Sequence, residues 1–323
     1  MRKPGCIFWI GNPMPEPHSP IAGLTPVSGA AAALLCFLFG ANTVAVKISL
    51  NGLGVFTTAG IRFGTAAMIL SLWVLLRRDS IRIDRPQLLR LLVVTAIFVV
   101  QLSLFYAGIQ RTYVSRGTLL ANVQPFFVLF LAHFFVPGDR INRRKLFGIC
   151  LALIGVVLVF FGSPQLTEDL RKGDMIILAA AFLWACNGVY TKNLLTGLRP
   201  TQLVLYPALF ATPVFLTAAL LTETFPAAPL NTATAAALLY QGLVATAFGF
   251  VAWNTLLRRY GAVAMHAFIF IMPVAGVLLG NRILGEPITV NLWAALVLIS
   301  AGILIVNLRP RRHPVVVHPG RNV

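Results

Sequence analysis

Apolar runs of about 20 residues, each long enough to cross a hydrocarbon core of about 30 Å as a helix, recur along the whole chain. They predict spans at approximately 28–50, 55–76, 88–109, 114–135, 145–162, 174–197, 200–222, 231–256, 260–281 and 289–308. Helices are required because lipid offers no partner for a backbone N–H or C=O, so each span must satisfy its own. The connections are short, which makes neighbouring spans antiparallel. The expected fold is an all-α polytopic membrane protein with ten transmembrane helices.

An internal repeat organises them. Residues 37–47 read FLFGANTVAVK and residues 182–192 read FLWACNGVYTK, so Phe37/Phe182, Leu38/Leu183, Asn42/Asn187, Val44/Val189 and Lys47/Lys192 match at one offset. Further on, Pro125 answers Pro273, Gly138-Asp139 answers Gly285-Glu286, and Gly155 answers Gly302. Each half holds five spans, and an odd number forces the second half to enter the membrane upside down relative to the first. Two inverted five-helix repeats, 28–163 and 174–309, are expected, with a solute site where the halves meet. Residues 1–27 read as a disordered cytoplasmic tail. Arg2-Lys3 before Cys6-Ile7-Phe8-Trp9-Ile10 hints at a signal sequence, but that apolar stretch is too short and no small-residue cleavage site follows. Met14 is an alternative initiator. Residues 310–323 form a basic tail.

Composition agrees with lipid residence: 58% of the 323 residues are hydrophobic and 11% charged, against roughly 25% charged in a soluble domain. Mean hydropathy is +0.84. The net charge of +17 does not indicate nucleic-acid binding, because the basic residues sit in short clusters between apolar runs and not on one continuous face. With the N-terminus inside, eighteen Lys and Arg fall on the inner side and five on the outer, which predicts an inner-membrane protein with both termini in the cytoplasm. Cys6, Cys36, Cys150 and Cys186 are too scattered for a metal motif or a disulfide frame.

The chain resembles the EamA family of the drug/metabolite transporter superfamily from about residue 28 to 309. The resemblance rests on Phe39-Gly40-Ala41-Asn42 running to Lys47, Arg62-Phe63 opening the second span, and Pro125 in the fourth. It also rests on the acidic turns Gly138-Asp139-Arg140 and Gly285-Glu286-Pro287, and on glycine-punctuated fifth helices with Gly148, Gly155 and Gly302. The family more often has Trp-Gly where Phe39-Gly40 stands and Glu where Asp139 stands; the second half keeps Trp184 and Glu286. Arg62 is answered by Pro207, so the halves differ there. The resemblance implies ten helices, both ends inside, alternating access and export of amino acids or related metabolites.

Asn42 and Asn187, paired by the repeat, are the first choice for a central solute site, against the alternative of simple helix pairing. Trp184, Asn187 and Tyr190 recur at i+3 on the sixth span. On the fourth, Ser115, Thr118, Asn122 and Pro125 share one face, with His266 in the register of Thr118. Arg62 lies two turns inside its span, where a guanidinium is costly, and reads either as a solute contact or as a staple to a neighbouring helix. Lys47 and Lys192 stand near helix C-termini and fit gating charges or snorkelling anchors. Pro125 and Pro273 are candidate hinges. As drawn, every Asp and Glu falls in a connection or at a helix end, which favours zwitterionic, anionic or neutral solutes over organic cations. The acidic turns at Asp139 and Glu286 are expected to cap the next helix or to tie loops to arginines.

A secondary transporter of a small solute in the lipid bilayer is therefore the leading expectation, with no cofactor, metal, catalytic residue or nucleic-acid partner. Proton coupling and a homodimer are open. The alternatives are a lipid-carrier flippase and a non-transporting partner subunit. An intramembrane enzyme is disfavoured, since no carboxylate cluster, metal-type group or nucleophile with a base is found.

Overall fold

The computed structural model describes residues 25–78, 81–135, 141–161, 167–191, 198–224, 230–261, 264–265 and 267–307. Along them run α1 (Pro26–Leu50), α2 (Val55–Arg77), α3 (Arg85–Arg111), a two-piece α4 (α4a, Val114–Ala121, and α4b, Gln124–Phe135) and α5 (Arg143–Phe161). The second set is α6 (Glu168–Thr191), α7 (Pro200–Thr222), α8 (Thr232–Tyr260), α9 (Ile271–Leu284) and α10 (Val290–Asn307). Among the described residues all but α9 are long and apolar enough to span a membrane, and α9 is a shorter apolar helix. Large apolar side chains such as Leu75, Leu76, Leu220 and Leu221 are left exposed on the bundle's surface, as a lipid-facing wall requires.

Packing repeats with the halves exchanged. Helices α5 and α10 pack together, and so do α2 and α7; α1 lies on α9 as α6 lies on α4, and α3 on α6 as α8 lies on α1. Two backbones nearly touch where α5 crosses α10: a Cβ on Gly302 would sit 2.6 Å from the Gly148 carbonyl, and one on Gly155 would sit 3.2 Å from the Ala295 carbonyl. Gly148 with Gly302, and Gly155 with Ala295, can meet in that order only if the helices run antiparallel. In lipid, such close approach supplies the dispersion contacts that hydrophobic burial supplies in water.

Inversion follows from the contacts as well. Near the end of α1, Lys47 Nζ donates to the Thr112 carbonyl at 2.9 Å, and the Thr112 hydroxyl donates to Asp174 near the start of α6. The C-terminal end of α1 and the N-terminal end of α6 therefore share a face, so these equivalent helices run in opposite directions.

Three boundaries differ from the sequence expectation. Helix α6 starts at Glu168, not 174: Glu168 and Asp169 occupy its first turn, where carboxylates favour the positive helix end although they lie outside the apolar run. Helix α8 continues to Tyr260, and regular α9 begins at Ile271, not 260; between them Gly261 takes φ +79°, outside helical space. The fourth span is interrupted at Asn122-Val123, and a turn at 267–270 precedes α9 at the matching register. Pro125 and Pro273 each stand in the first turn after an interruption, where a missing N–H leaves no helix bond unmade. They begin helices and do not kink continuous ones. The terminal tails lie outside the described residues, apart from the short stretch leading into α1 at Thr25.

Candidate solute site

A cavity of about 150 Å³ lies between the halves. Its wall is made by Phe63 of α2, Val94 and Phe98 of α3, Asn187 and Thr191 of α6, Leu203, Val204, Pro207 and Ala208 of α7, and Thr246, Phe250 and Asn254 of α8. Thr191 is the last residue of α6, Leu203 and Val204 are in the first turns of α7, and Asn254 is near the end of α8. The cavity is thus displaced toward the face that carries the connection between α2 and α3. We call this the cavity face.

Its polar groups are fixed by local helix chemistry. The Thr191 hydroxyl donates to the Asn187 carbonyl at 2.7 Å, and Asn254 Nδ2 donates to the Phe250 carbonyl at 2.8 Å. From Tyr240 to Phe250, α8 winds as a π-helix, a form that recurs at functional sites. There the Thr246 hydroxyl donates to the carbonyl of Gln241, five residues earlier. With their protons committed to backbone, both threonines offer only lone pairs to the cavity.

Arg62 stands behind this wall and is 3% exposed. Its Nε donates to the Thr246 hydroxyl at 2.7 Å and its Nη1 to the Tyr106 hydroxyl at 2.8 Å. Tyr106 in turn donates to Gln241 Oε1, and Gln241 Nε2 donates to Ser49 Oγ and to the Ala45 carbonyl. The guanidinium lies 5.1 Å from the Phe63 ring centre and 6.0 Å from that of Phe250. Gly242 makes this reach possible: a Cβ there would come within 2.8 Å of Thr65 and 3.2 Å of the Arg62 carbonyl, holding α8 off α2.

Of the residues expected from sequence at the solute site, and among the described residues, only Asn187 lines the cavity, with Nδ2 directed at Gln101 Oε1 across 3.4 Å. Asn42 Oδ1 is buried without a hydrogen-bond partner on the face of α1 whose Leu38 and Ala45 carbonyls bind Tyr240 and Gln241. Trp184 and Tyr190 are 36% and 41% exposed and stand outside the cavity. Each i+3 step falls about 60° short of a full turn, so the three residues fan over about 120° with Asn187 in the middle. Asn122 bonds back to the Thr118 carbonyl at the α4 interruption, and the stripe it belongs to faces α9, with Thr118 against Gly276. Lys47 gives its three ammonium protons to the carbonyls of Ile109, Gln110 and Thr112 at the end of α3. Lys192 and His266 lie outside the described residues, as does Asp139. Phe98, Thr191, Thr246, Phe250 and Asn254 carried no mark in the sequence, and Phe63 was marked only as part of the family resemblance. The i+4 spacing of Thr246, Phe250 and Asn254 was the available signal.

The opposite face is closed by carboxylates that cross between halves. Glu286, just after α9, accepts from the Val114 and Ser115 amides at 2.6 and 2.8 Å and from the Ser115 hydroxyl at 2.8 Å. Glu223, just after α7, accepts in the same way from Phe56 N, Thr57 N and the Thr57 hydroxyl. Each clasps the N-terminus of a first-half helix, satisfying orphan donors and the helix dipole together. The expected cap on the next helix is therefore replaced by one on α4a. Asp174 is fully buried in α6 and paired with Arg116 of α4a, itself 4% exposed. This corrects the expectation that every carboxylate falls in a connection or at a helix end. The pair was hidden because the apolar run starts only at Met175.

The sequence profile of the EamA-like transporter family matches residues 27–161 and again 171–308. A probable amino-acid metabolite efflux pump of Salmonella typhimurium is 31% identical over 86% of this chain and 93% of its own length. One of the same description from Escherichia coli is 29% identical over the same shares. A solved crystal structure shares the fold, with a TM-score of 0.65 and 16% identity over 87% of this chain and 96% of that one. A doubled five-helix repeat with a cavity between its halves, matched twice by one family, leaves a single assignment: the chain belongs to the EamA-like family of drug/metabolite transporters and is a multi-pass membrane transporter, not an enzyme.

Proposed function

We propose that this transporter exports amino acids or related small polar metabolites by alternating access, with the cavity as its solute site. The observation that carries the reading is the asymmetry of the two faces. One is bridged by Glu223, Glu286 and the Asp174–Arg116 pair, while the cavity is displaced toward the other. The excess of Lys and Arg on the cavity side supports an orientation in the inner membrane with both termini in the cytoplasm. In that orientation the conformation is a cytoplasm-facing one, ready to load. Cavity size, aromatic walls and scattered hydrogen-bonding groups suit a solute of amino-acid dimensions. The efflux pumps named among the relatives support the substrate class and the direction. Export requires the clasped face to open and the cavity face to close, with Asn187, Thr246 and Asn254 holding the solute meanwhile.

The test is metabolite profiling of culture medium with and without expression, followed by uptake of the enriched compound into inside-out vesicles. Asn187→Ala is expected to cut uptake at unchanged membrane abundance. A medium unaltered by expression, together with vesicles that take up no enriched compound, would refute export.

A further inference from the structure

We propose that Arg62 sets the charge selectivity of the cavity, so that the solute must carry an anionic group, a carboxylate in the amino-acid case, held against the wall formed by Phe63, Thr246 and Phe250. The proposal rests on the cavity being the solute site.

Arg62 is a buried cation whose partners are all neutral: two hydroxyls and two phenyl faces. Among the described residues no carboxylate pairs with it. The acids that are buried or crossing between halves are committed elsewhere, Asp174 to Arg116, Glu286 to the start of α4a and Glu223 to the start of α2. A guanidinium taken out of water without a counter-charge is expensive, and protein normally supplies the missing charge. Here the space beside it is the cavity, because Phe63, Thr246 and Phe250 are at once the neighbours of Arg62 and parts of the cavity wall. An anion in the cavity completes the pair through that wall. The Thr246 oxygen gives the anion no hydrogen bond, since its proton is committed to Gln241, so the attraction is the field of the guanidinium through the wall. Asn187 has an N–H to give, and Thr191 and Asn254 offer oxygens to an ammonium at the far end of a zwitterion. Two unit charges about 6 Å apart at an effective dielectric of about 20 correspond to a preference on the order of 100-fold for the charged over the neutral form of one group. Solvent in an open cavity lowers this, so at least tenfold is expected.

The experiment is thermal stabilisation of the purified transporter by each of the twenty amino acids and by the matching amino-acid amides, which keep side chain and ammonium and lose the carboxylate charge. For every amino acid that stabilises the protein, the amide is expected to need at least ten times the concentration for the same shift. Arg62→Lys is expected to retain the preference for acid over amide, and Arg62→Gln to abolish it. Amides as effective as the acids in the native protein would overturn the charge-selectivity proposal while leaving the cavity as the solute site. Stabilisation by no compound in either series would overturn the amino-acid reading of the cavity and the charge-selectivity proposal with it. The native comparison decides the matter even if Arg62→Gln fails to fold, and a purely structural Arg62 would leave the acid-to-amide ratio near one.

Discussion

Replacing Glu286 by Gln isolates what the clasp on α4a does. The side chain keeps its length, but one of two acceptor oxygens becomes an NH2 facing the donors Val114 N–H, Ser115 N–H and Ser115 O–H. At least one charge-assisted bond is lost, worth about 1.5–3 kcal/mol, and a donor is set against a donor. If the clasp exists only while this face is shut, the whole loss moves the equilibrium toward the open form, by a factor of at least about ten since each 1.4 kcal/mol is tenfold. Thr118 reports the change. It is 3% exposed, one turn along α4a from Ser115, and pressed against Gly276 of α9 at the seam that must part. In a cysteine-free background carrying Thr118→Cys, purified protein is treated with a bulky maleimide. Its modification rate is expected to rise about tenfold or more when Glu286→Gln is added. An unchanged rate accompanied by a lower melting temperature would show that the clasp persists through the cycle, and the gating argument would be wrong.

The second clasp predicts a steric test, because a Cβ on Gly54 would fall 2.1 Å from Glu223 Cδ. Gly54→Ala should displace the carboxylate from the start of α2 and reduce transport, while the same change at Gly29, whose nearest neighbour would be 3.6 Å away, should be silent in uptake assays. Asp174→Asn leaves Arg116 buried without its partner and should cost about 3–5 kcal/mol, read as a large fall in melting temperature. A small fall would mean that water reaches the pair. Thr246→Val removes the hydroxyl shared by Arg62 and the cavity and should lower apparent solute affinity several-fold in vesicle uptake, whereas Tyr190→Phe, outside the cavity, should transport normally.

The helices were legible where apolar composition and helix boundary coincide, as in α2 and α7. Legibility failed where other forces set the boundary. Helix α6 is extended by its acidic first turn and by the internal Asp174–Arg116 pair, neither of which adds apolar residues. Beyond residue 260 the apolar run continues, but composition alone does not register the positive φ of Gly261 that ends α8 or the turn at 267–270 that precedes Ile271. At the site, the repeat pointed to Asn187, and the cost of a charge in lipid pointed to Arg62, both properties of single residues. Thr246 carried no such mark. Its role comes from the π-helical winding of α8 and from an arginine 184 positions away. The glutamate clasps escaped for a related reason: an acid beside a helix end reads as a local cap, whereas in the folded chain the helix it caps belongs to the other half.

The repeat and the site make opposite demands, and Arg62 shows how they are reconciled. Two inverted halves that pack the same way with roles exchanged give the two access states nearly the same backbone energy, which a carrier needs if neither state is to trap it. A symmetric cavity, however, would present both ends of a zwitterion with the same surroundings. Arg62 is answered in the second half by Pro207, so its charge has no image across the pseudo-twofold, and both residues border the same space, Pro207 in its wall and Arg62 behind it. The hydrogen bonds of Arg62 and Gln241 join α1, α2, α3 and α8, so the charge is held by both halves at once. A group held in this way keeps its place only in arrangements that leave those four helices together. On the alternating-access proposal, movement that opens the clasped face occurs around this network, with α4a and α6 parting from their neighbours while α1, α2, α3 and α8 keep the proposed charge partner of the solute in place.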